Sequence, residues 1–107
     1  MKAEDITEAQ VVSEVKEVIK LYRLAIQRIN TGTFKGYIKT ANAGTLDFEG
    51  YDNYGRFIGI ECKRPKGGKV SPEQLRRIED INKKGGHAAI IHSGEEALNF
   101  FIDNRCI

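Results

Sequence analysis

Two acidic residues and a lysine are spaced so that two neighbouring strands would bring them together. Asp47 precedes a turn, and Glu61 and Lys63 follow it two residues apart. Alternate residues of a strand point to the same face, about 7 Å apart, so Glu61 and Lys63 share a face. If Asp47 lies on the antiparallel neighbouring strand, its carboxylate can reach Glu61.

This arrangement suits a divalent cation. Two close carboxylates repel each other, and a bound cation relieves that repulsion. Oxygen ligands without a nearby Cys or His donor favour magnesium or manganese over zinc, and a lysine beside the ion can orient water or stabilise a phosphate. The spacing alone favours a plainer interpretation, a solvent-facing Glu61–Lys63 pair on an edge strand, because Glu-x-Lys is a common pattern.

Two predicted strands would carry these residues. Residues 56–63 show the clearest alternation, with Ile58, Ile60 and Cys62 on one face. Residues 47–51 form a shorter strand, and the polar residues 52–55 supply the turn between the two.

Three helices are predicted from their caps and apolar spacing. The first begins at Thr7 with a capping box to Gln10, and the second begins at Ser71 with Pro72 and Gln74. A third capping box at Ser93–Glu96 opens the final helix. The apolar faces consist of Val11, Val12, Val15, Val18 and Ile19 in the first helix, and of Leu75, Ile78 and Ile81 in the second. The third helix runs through Leu98, Phe101 and Ile102.

The remaining segments complete an α/β fold. A half-buried strand begins near Tyr22 or Leu24 and ends near Asn30, residues 31–45 form a loop or irregular hairpin, and residues 87–92 form a short buried strand. The predicted order is α-β-(loop)-β-β-α-β-α, with a right-handed crossover joining parallel strands between residues 56 and 92.

Composition limits the class of protein. The 107 residues suit one domain, 1–107, and 40% apolar with 30% charged residues argue against a disordered chain or a coiled coil. No apolar run is long enough to span a bilayer, and the acidic N-terminal residues do not suit a signal peptide, so we expect an intracellular, cytoplasmic protein. Two cysteines are too few for a disulfide scaffold, and Cys62 is expected to be a buried, reduced thiol.

Charge is unevenly distributed although the net charge is only +2. Residues 56–84 contain nine basic and four acidic side chains, so this segment is positive and the rest of the chain is negative. Such a segment can form a phosphate-binding surface, and it can equally be a solvated helix face.

The order of several short motifs resembles a known family. Gly44-x-x-Asp47, Ile60-Glu61-Cys62-Lys63, Lys66-Gly67, Ser71-x-x-Gln74 and Gly85-Gly86-x-Ala88 follow one another as in the VRR-Nuc domain of the restriction-endonuclease-like superfamily. The resemblance spans residues 8–96. It implies a mixed β-sheet flanked by helices in the order α-β-β-β-α-β-α. Where the family often has proline before the aspartate, this chain has Leu46.

The resemblance also implies the roles of individual residues. Asp47 and Glu61 would bind Mg²⁺ or Mn²⁺ together with the backbone carbonyl of Cys62, and Lys63 would be the catalytic lysine. Gln74 matches a family glutamine of the site, although a cap with Ser71 is its alternative role. Glu8 matches the acid of the first helix best, and Glu14 competes with it. Phosphate contacts would come from the loop cations Lys35, Lys39, Arg64, Lys66 and Lys69.

The activity implied by the resemblance is metal-dependent hydrolysis of DNA. Free-standing family members act as homodimers on branched DNA such as four-way junctions and are often phage-encoded, which would place this protein in a bacterial cytoplasm. Phe100 and Phe101 suggest the final helix as the dimer surface, on the argument that both cannot face one core. Two alternatives stay open: a catalytically silent nucleic-acid-binding module, and a small protein-interaction domain.

Overall fold

A computed structural model describes residues 2–29, 33–34, 37–38 and 44–107 of the chain. After a short 3-10 turn, Ala3–Asp5, the main elements follow in the predicted order. They are α1 (Glu8–Leu21), β1 (Ala25–Arg28), β2 (Thr33–Phe34), β3 (Tyr37–Ile38), β4 (Phe48–Tyr51), β5 (Phe57–Cys62), α2 (Pro72–Lys83), β6 (His87–Ile91) and α3 (Gly94–Asp103).

Four strands form a mixed sheet in the order β1-β4-β5-β6. The first three are antiparallel neighbours, and β5 pairs in parallel with β6, which confirms the predicted parallel pairing across α2. The register places Phe48 opposite Ile60. Strands β2 and β3 pair as an antiparallel hairpin, and the rest of the hairpin predicted for residues 31–45 lies largely outside the described residues.

Helices cover both faces of this sheet. On the face of α1 and α3, Ile58, Ile60 and Cys62 are fully buried against residues such as Val15 and Phe101, as the strand alternation predicted. A smaller core of Leu46, Ile81 and Ala88 lies under α2. Burial of each large apolar side chain contributes about 1.5–3 kcal/mol to folding.

Gly59 lets α2 approach the sheet closely. A Cβ at this position would lie 2.7 Å from Leu46 Cδ1 and 2.9 Å from Ile81 Cδ1. These distances are shorter than real contacts, so a larger residue would displace the terminal methyl groups of Leu46 and Ile81 from the small core under α2.

Two of the three predicted capping boxes are confirmed. Thr7 and Gln10 exchange both bonds at the start of α1, and Ser71 and Gln74 do so at α2. At α3 the Ser93 hydroxyl accepts the Glu96 N–H, but the Glu96 carboxylate contacts His92 Nδ1 at 3.0 Å. The third box is therefore wrong in its second half, because a histidine outside the helix competes for the carboxylate.

Two predictions of apolar faces are also wrong. Leu75 is 50% exposed, whereas Ile81 is buried, because a three-residue spacing drifts around a helix of 3.6 residues per turn.

Phe101 is fully buried, and Phe100 packs against the same core with its ring centroid 5.6 Å from that of Phe101. The phenylalanine argument for a dimer surface therefore fails, since one core holds both rings.

Element ends differ from prediction by one or two residues. Strand β4 excludes its first predicted residue and β5 excludes both of its predicted end residues, so Asp47 and Lys63 lie just outside these strands. The helical turn at the end of α1 extends to Tyr22, which therefore caps a helix instead of starting β1. Within the described ranges, no helix has the length and apolar character that crossing a membrane requires.

Candidate active site

Asp47 and Glu61 face each other across β4 and β5. The N–H of Asp47 donates to Glu61 Oε1 at 3.1 Å, and the N–H of Cys62 donates to Asp47 Oδ2 at 2.8 Å. Each carboxylate is thus held by a backbone donor of the opposite chain segment. The predicted approach of the two acids is confirmed. It arises because Phe48 pairs with Ile60 in antiparallel register, so that Asp47, before Phe48, lies opposite Glu61, after Ile60.

Glu61 is a buried acid beside a second acid. It is 2% exposed. Burial, followed by the charge of Asp47, raises the pKa of Glu61 to about 7 although Lys63 opposes the shift. The solvent-facing interpretation of the Glu61–Lys63 pair is therefore wrong: the strand is internal to the sheet, and its acid is enclosed.

Lys63 bridges the carboxylates of two elements. Its Nζ lies 3.3 Å from Glu61 Oε2 and 3.5 Å from Glu8 Oε1, at the start of α1. Burial acts to lower the pKa of Lys63, but Glu61 and Glu8 together raise it above its ordinary value. The lysine is therefore a protonated donor with 16% of its side chain exposed.

The two helix acids have different positions. Glu8 contacts Lys63, whereas Glu14 Oε1 accepts the Gly94 N–H at 2.8 Å and thereby caps the start of α3. The close packing of α1 on α3 explains this, because a Cβ on Gly94 would lie 2.9 Å from Glu14 Cβ. No group of three or more His, Cys, Asp or Glu side chains in the described part of the chain is arranged to hold a metal ion. In this structure Glu8 therefore forms an ion pair with Lys63, and its predicted role as a metal ligand remains a prediction.

Arg28 is a site residue that sequence reasoning missed. Its Nη2 lies 3.4 Å from Asp47 Oδ1, and its guanidinium carbon lies 5.9 Å from the centre of the Phe48 ring. Each of the two carboxylates therefore forms an ion pair with a different basic side chain: Asp47 with Arg28, and Glu61 with Lys63. Arg28 reaches Asp47 because the register of β1 on β4 places it opposite Phe48, the residue after Asp47.

A second missed residue, Glu49, anchors the segment that carries Asp47. Glu49 Oε1 contacts Arg77 Nη2 at 2.9 Å, and Glu49 Oε2 accepts the N–H of Leu46 at 3.2 Å. Arg77 in turn lies over the Phe57 ring, 5.5 Å from its centre. This ion pair connects α2 to the residue before Asp47, and buried Leu46 fills the position where the resembled family often has proline.

Gln74 caps the start of α2 together with Ser71, which was the alternative to a role in the site. Its side-chain oxygen accepts the Ser71 N–H at 3.2 Å, and its own N–H donates to Ser71 Oγ. The hydrogen bonds of the described residues do not join it to Asp47, Glu61 or Lys63. Its predicted place in the site remains a prediction.

The predicted phosphate contacts are only partly described. Arg64 and Lys69, with Glu8, line a cleft of about 520 Å³ next to Lys63. Arg64 also donates to the Gly67 carbonyl at 3.4 Å. Lys66 is exposed. The other two predicted contacts, Lys35 and Lys39, lie outside the described residues.

Both cysteines are free and buried. Burial raises the pKa of the Cys62 thiol well above its ordinary range, and it raises the pKa of Cys106 to about 11. Neither sulfur is a thiolate near neutral pH, so the chemistry of the site lies with its carboxylates and lysine.

The donor set fits a hard divalent cation. Asp47 and Glu61 supply carboxylate oxygens, and the repulsion that raises the pKa of Glu61 is what a cation would relieve. The two imidazoles have other partners, Arg56 for His87 and Glu96 for His92. Magnesium or manganese fits this chemistry better than zinc.

Comparison with known proteins supports the fold. Protein-family models do not match the sequence, and curated proteins do not match it either. A solved structure described as a VRR_NUC domain superposes with a TM-score of 0.64, covers 92% of this chain and 97% of its own, and is 20% identical in sequence. The chain therefore has the fold of a VRR_NUC domain, a restriction-endonuclease-like α/β fold, as the motif order predicted.

Proposed function

We propose that this protein is a metal-dependent nuclease that hydrolyses DNA phosphodiester bonds. The observation that carries the proposal is the pairing of buried Glu61 with Asp47, bracketed by Lys63. The VRR_NUC fold supports it, because a nuclease-type domain is the class that this fold suggests.

A purely structural role would not need this arrangement. Burying a carboxylate is costly unless a cation compensates it. A second carboxylate beside Glu61 increases that cost, as the raised pKa of Glu61 shows. Opposed titratable groups with a strongly shifted pKa are typical of functional sites.

The residues divide the proposed chemistry between them. Asp47, Glu61 and the backbone carbonyl of Cys62 would hold Mg²⁺ or Mn²⁺. When bound, the ion supplies Lewis acidity for water and for a phosphoryl oxygen. Lys63, protonated and held by Glu61 and Glu8, donates hydrogen bonds to a phosphate oxygen or to the attacking water. Glu8 positions the lysine through its 3.5 Å contact with Lys63 Nζ.

We also propose branched DNA as the substrate and a homodimer as the acting form. This finer proposal rests on the resemblance of the motifs to free-standing VRR-Nuc domains. A two-fold dimer would present two sites to two strands of a junction.

The proposal is tested by incubating labelled linear, flapped and four-way-junction DNA with the protein in Mg²⁺ or EDTA. We expect Mg²⁺-dependent cleavage that is lost in Asp47→Asn and Glu61→Gln. Lys84→Ala is the matched control, because Lys84 is exposed and lies beside Phe57, at the opposite end of β5 from Glu61. Absence of Mg²⁺- or Mn²⁺-dependent cleavage on all three DNAs would overturn the proposal.

A silent DNA-binding module is the second candidate. It is favoured by the ion pairs of Arg28 with Asp47 and Lys63 with Glu61, which give both acids a cation belonging to the protein itself. Calorimetric titration with Mg²⁺ and Mn²⁺ distinguishes the two: a nuclease binds the ion through Asp47 and Glu61, and a silent module binds DNA without it.

A further inference from the structure

A groove between α1 and β1 combines a cationic rim with an apolar floor. Its volume is about 330 Å³. Four of its lining residues are cations and none is an acid, as far as the structure describes the chain. The cations are Lys16, Lys20, Arg23 and Arg28.

The rim cations are accessible and largely uncompensated. Lys16, Lys20 and Arg23 are exposed, and none of them forms an ion pair with another described residue. The floor consists of buried or nearly buried apolar side chains, including Leu24 and Ile26. The end of α2 differs, because Lys84, the residue directly after this helix, forms an ion pair with Asp80 at 3.1 Å.

The groove is continuous with the candidate active site. Arg28 lines it and at the same time contacts Asp47 Oδ1 at 3.4 Å. A polyanion lying along Lys16, Lys20 and Arg23 would therefore arrive at Arg28 and then at the acid pair. This continuity favours a nucleic acid as the ligand. An acidic protein or a lipid surface would not need to reach the Asp47–Glu61 pair, whereas the phosphodiester of a nuclease substrate would.

Arg23 adds its cation to the rim from a left-handed conformation, which Arg105 also adopts after α3 without lining the groove. Its φ is +53°, directly after α1, where glycine is the least strained residue. The left-handed conformation costs a non-glycine residue about 1 kcal/mol. Glycine would serve the turn better, whereas arginine adds a cation to the rim of the groove.

We propose that this groove is the track along which the DNA backbone reaches the acid pair. The inference rests on the proposed nuclease function and adds a surface that lies outside the basic segment 56–84. Phosphates would contact the four cations, and sugars or unpaired bases would lie on the apolar floor.

The test measures binding of a fluorescein-labelled single strand, its duplex and a four-way junction by anisotropy, in EDTA, across a KCl series. We expect Lys16→Ala/Lys20→Ala to weaken binding by about tenfold or more at low salt, and each lost phosphate contact to reduce the salt slope by about 0.7–0.9. Lys83→Ala/Lys84→Ala removes the same charge from exposed positions at the far end of the basic segment 56–84, which line neither the groove nor the cleft beside Lys63, and it should bind as wild type.

Arg23→Gly separates binding from folding. This variant should raise the melting temperature by relieving backbone strain and yet weaken DNA binding. Arg105→Gly is its matched control, because Arg105 follows α3 with φ +56° and does not line the groove. The control should also gain stability, but it should bind DNA as wild type does.

The outcomes separate the two proposals. Wild-type affinity and salt slope in both groove variants would overturn the track and leave the nuclease proposal in place. Groove-dependent binding without Mg²⁺-dependent cleavage would support the track and overturn the nuclease. A wild-type protein that binds none of the three DNAs in EDTA, but binds anionic phosphatidylserine vesicles through Lys16 and Lys20, would overturn the track, and the nuclease proposal would still be decided by the cleavage assay.

Discussion

Asp47 and Glu61 are linked by a hydrogen bond from the backbone of one to the carboxylate of the other, at 3.1 Å. The bond draws a buried acid towards a residue that is itself negatively charged. Neutral hydrogen bonds alone do not balance that repulsion, and the protein places Lys63 and Arg28 on either side of the pair. The consequences of this arrangement can be measured.

Stability without metal should fall as pH rises through neutrality. The folded-state pKa of Glu61 is raised from 4.5 to about 7, so between these values the folded protein binds more protons than the unfolded chain. The associated stability is fully present below pH 4.5 and is lost as pH rises through about 7. In EDTA, Glu61→Gln should remove this pH dependence, which in the wild type lowers the free energy of unfolding by about 3 kcal/mol between pH 4 and pH 8. Thermal melts between pH 5 and pH 8 measure it, and parallel curves for the two proteins would contradict it.

Lys63→Ala should abolish cleavage and leave metal binding in place. The lysine contributes a charged donor, whereas the metal donors are carboxylate oxygens. We expect at least a hundredfold loss of cleavage, about 2.7 kcal/mol in the barrier, with Mg²⁺ affinity by calorimetry close to wild type. Cleavage within about tenfold of wild type would rule out a catalytic role for Lys63.

Glu8 and Glu14 should separate activity from stability. Glu8→Gln weakens the hold on Lys63 and should lower cleavage by about tenfold, or about 1.4 kcal/mol, without changing the melting temperature. Glu14→Ala removes the acceptor for the Gly94 N–H and should lower the free energy of unfolding by about 1 kcal/mol, with cleavage retained below the melting transition. The reverse pattern would move the functional acid to Glu14.

Asp52 should govern stability in acid. It is buried and accepts the N–H groups of Tyr54 and Arg56, as well as Arg56 Nε at 2.7 Å. Burial acts to raise the pKa of Asp52, but these bonds outweigh it and lower the pKa below 3.8. The stability it contributes is therefore present above pH 3.8 and is lost as pH falls through the folded-state pKa.

The Asp52 contacts reach the C-terminal residues through Arg56, which donates to the Asn104 and Arg105 carbonyls. We expect Asp52→Asn to lower the free energy of unfolding by about 3 kcal/mol at pH 7. At pH 3 the difference between the variant and the wild type should be smaller. Equal losses at both pH values, measured by urea unfolding, would show that its charge is unimportant.

Several features of the fold and site follow from short stretches of sequence. Thr7 and Ser71 cap their helices through residues three positions away, and alternation places Ile58, Ile60 and Cys62 in the core. The proximity of Glu61 and Lys63 has the same origin, because Lys63 directly follows β5 and lies two residues after Glu61. These properties depend on contacts within a few residues, so sequence alone determines them.

Other features depend on how distant segments pack. The burial of Glu61 requires the flanking strands and helices, and the division between Glu8 and Glu14 requires α3 to lie on α1. Arg28 enters the site only because β1 pairs with β4, and Leu75 is exposed because α2 presents one side to the sheet. Burial, charge pairing and pKa are properties of the assembled neighbourhood, and that neighbourhood joins residues up to 80 positions apart in the chain.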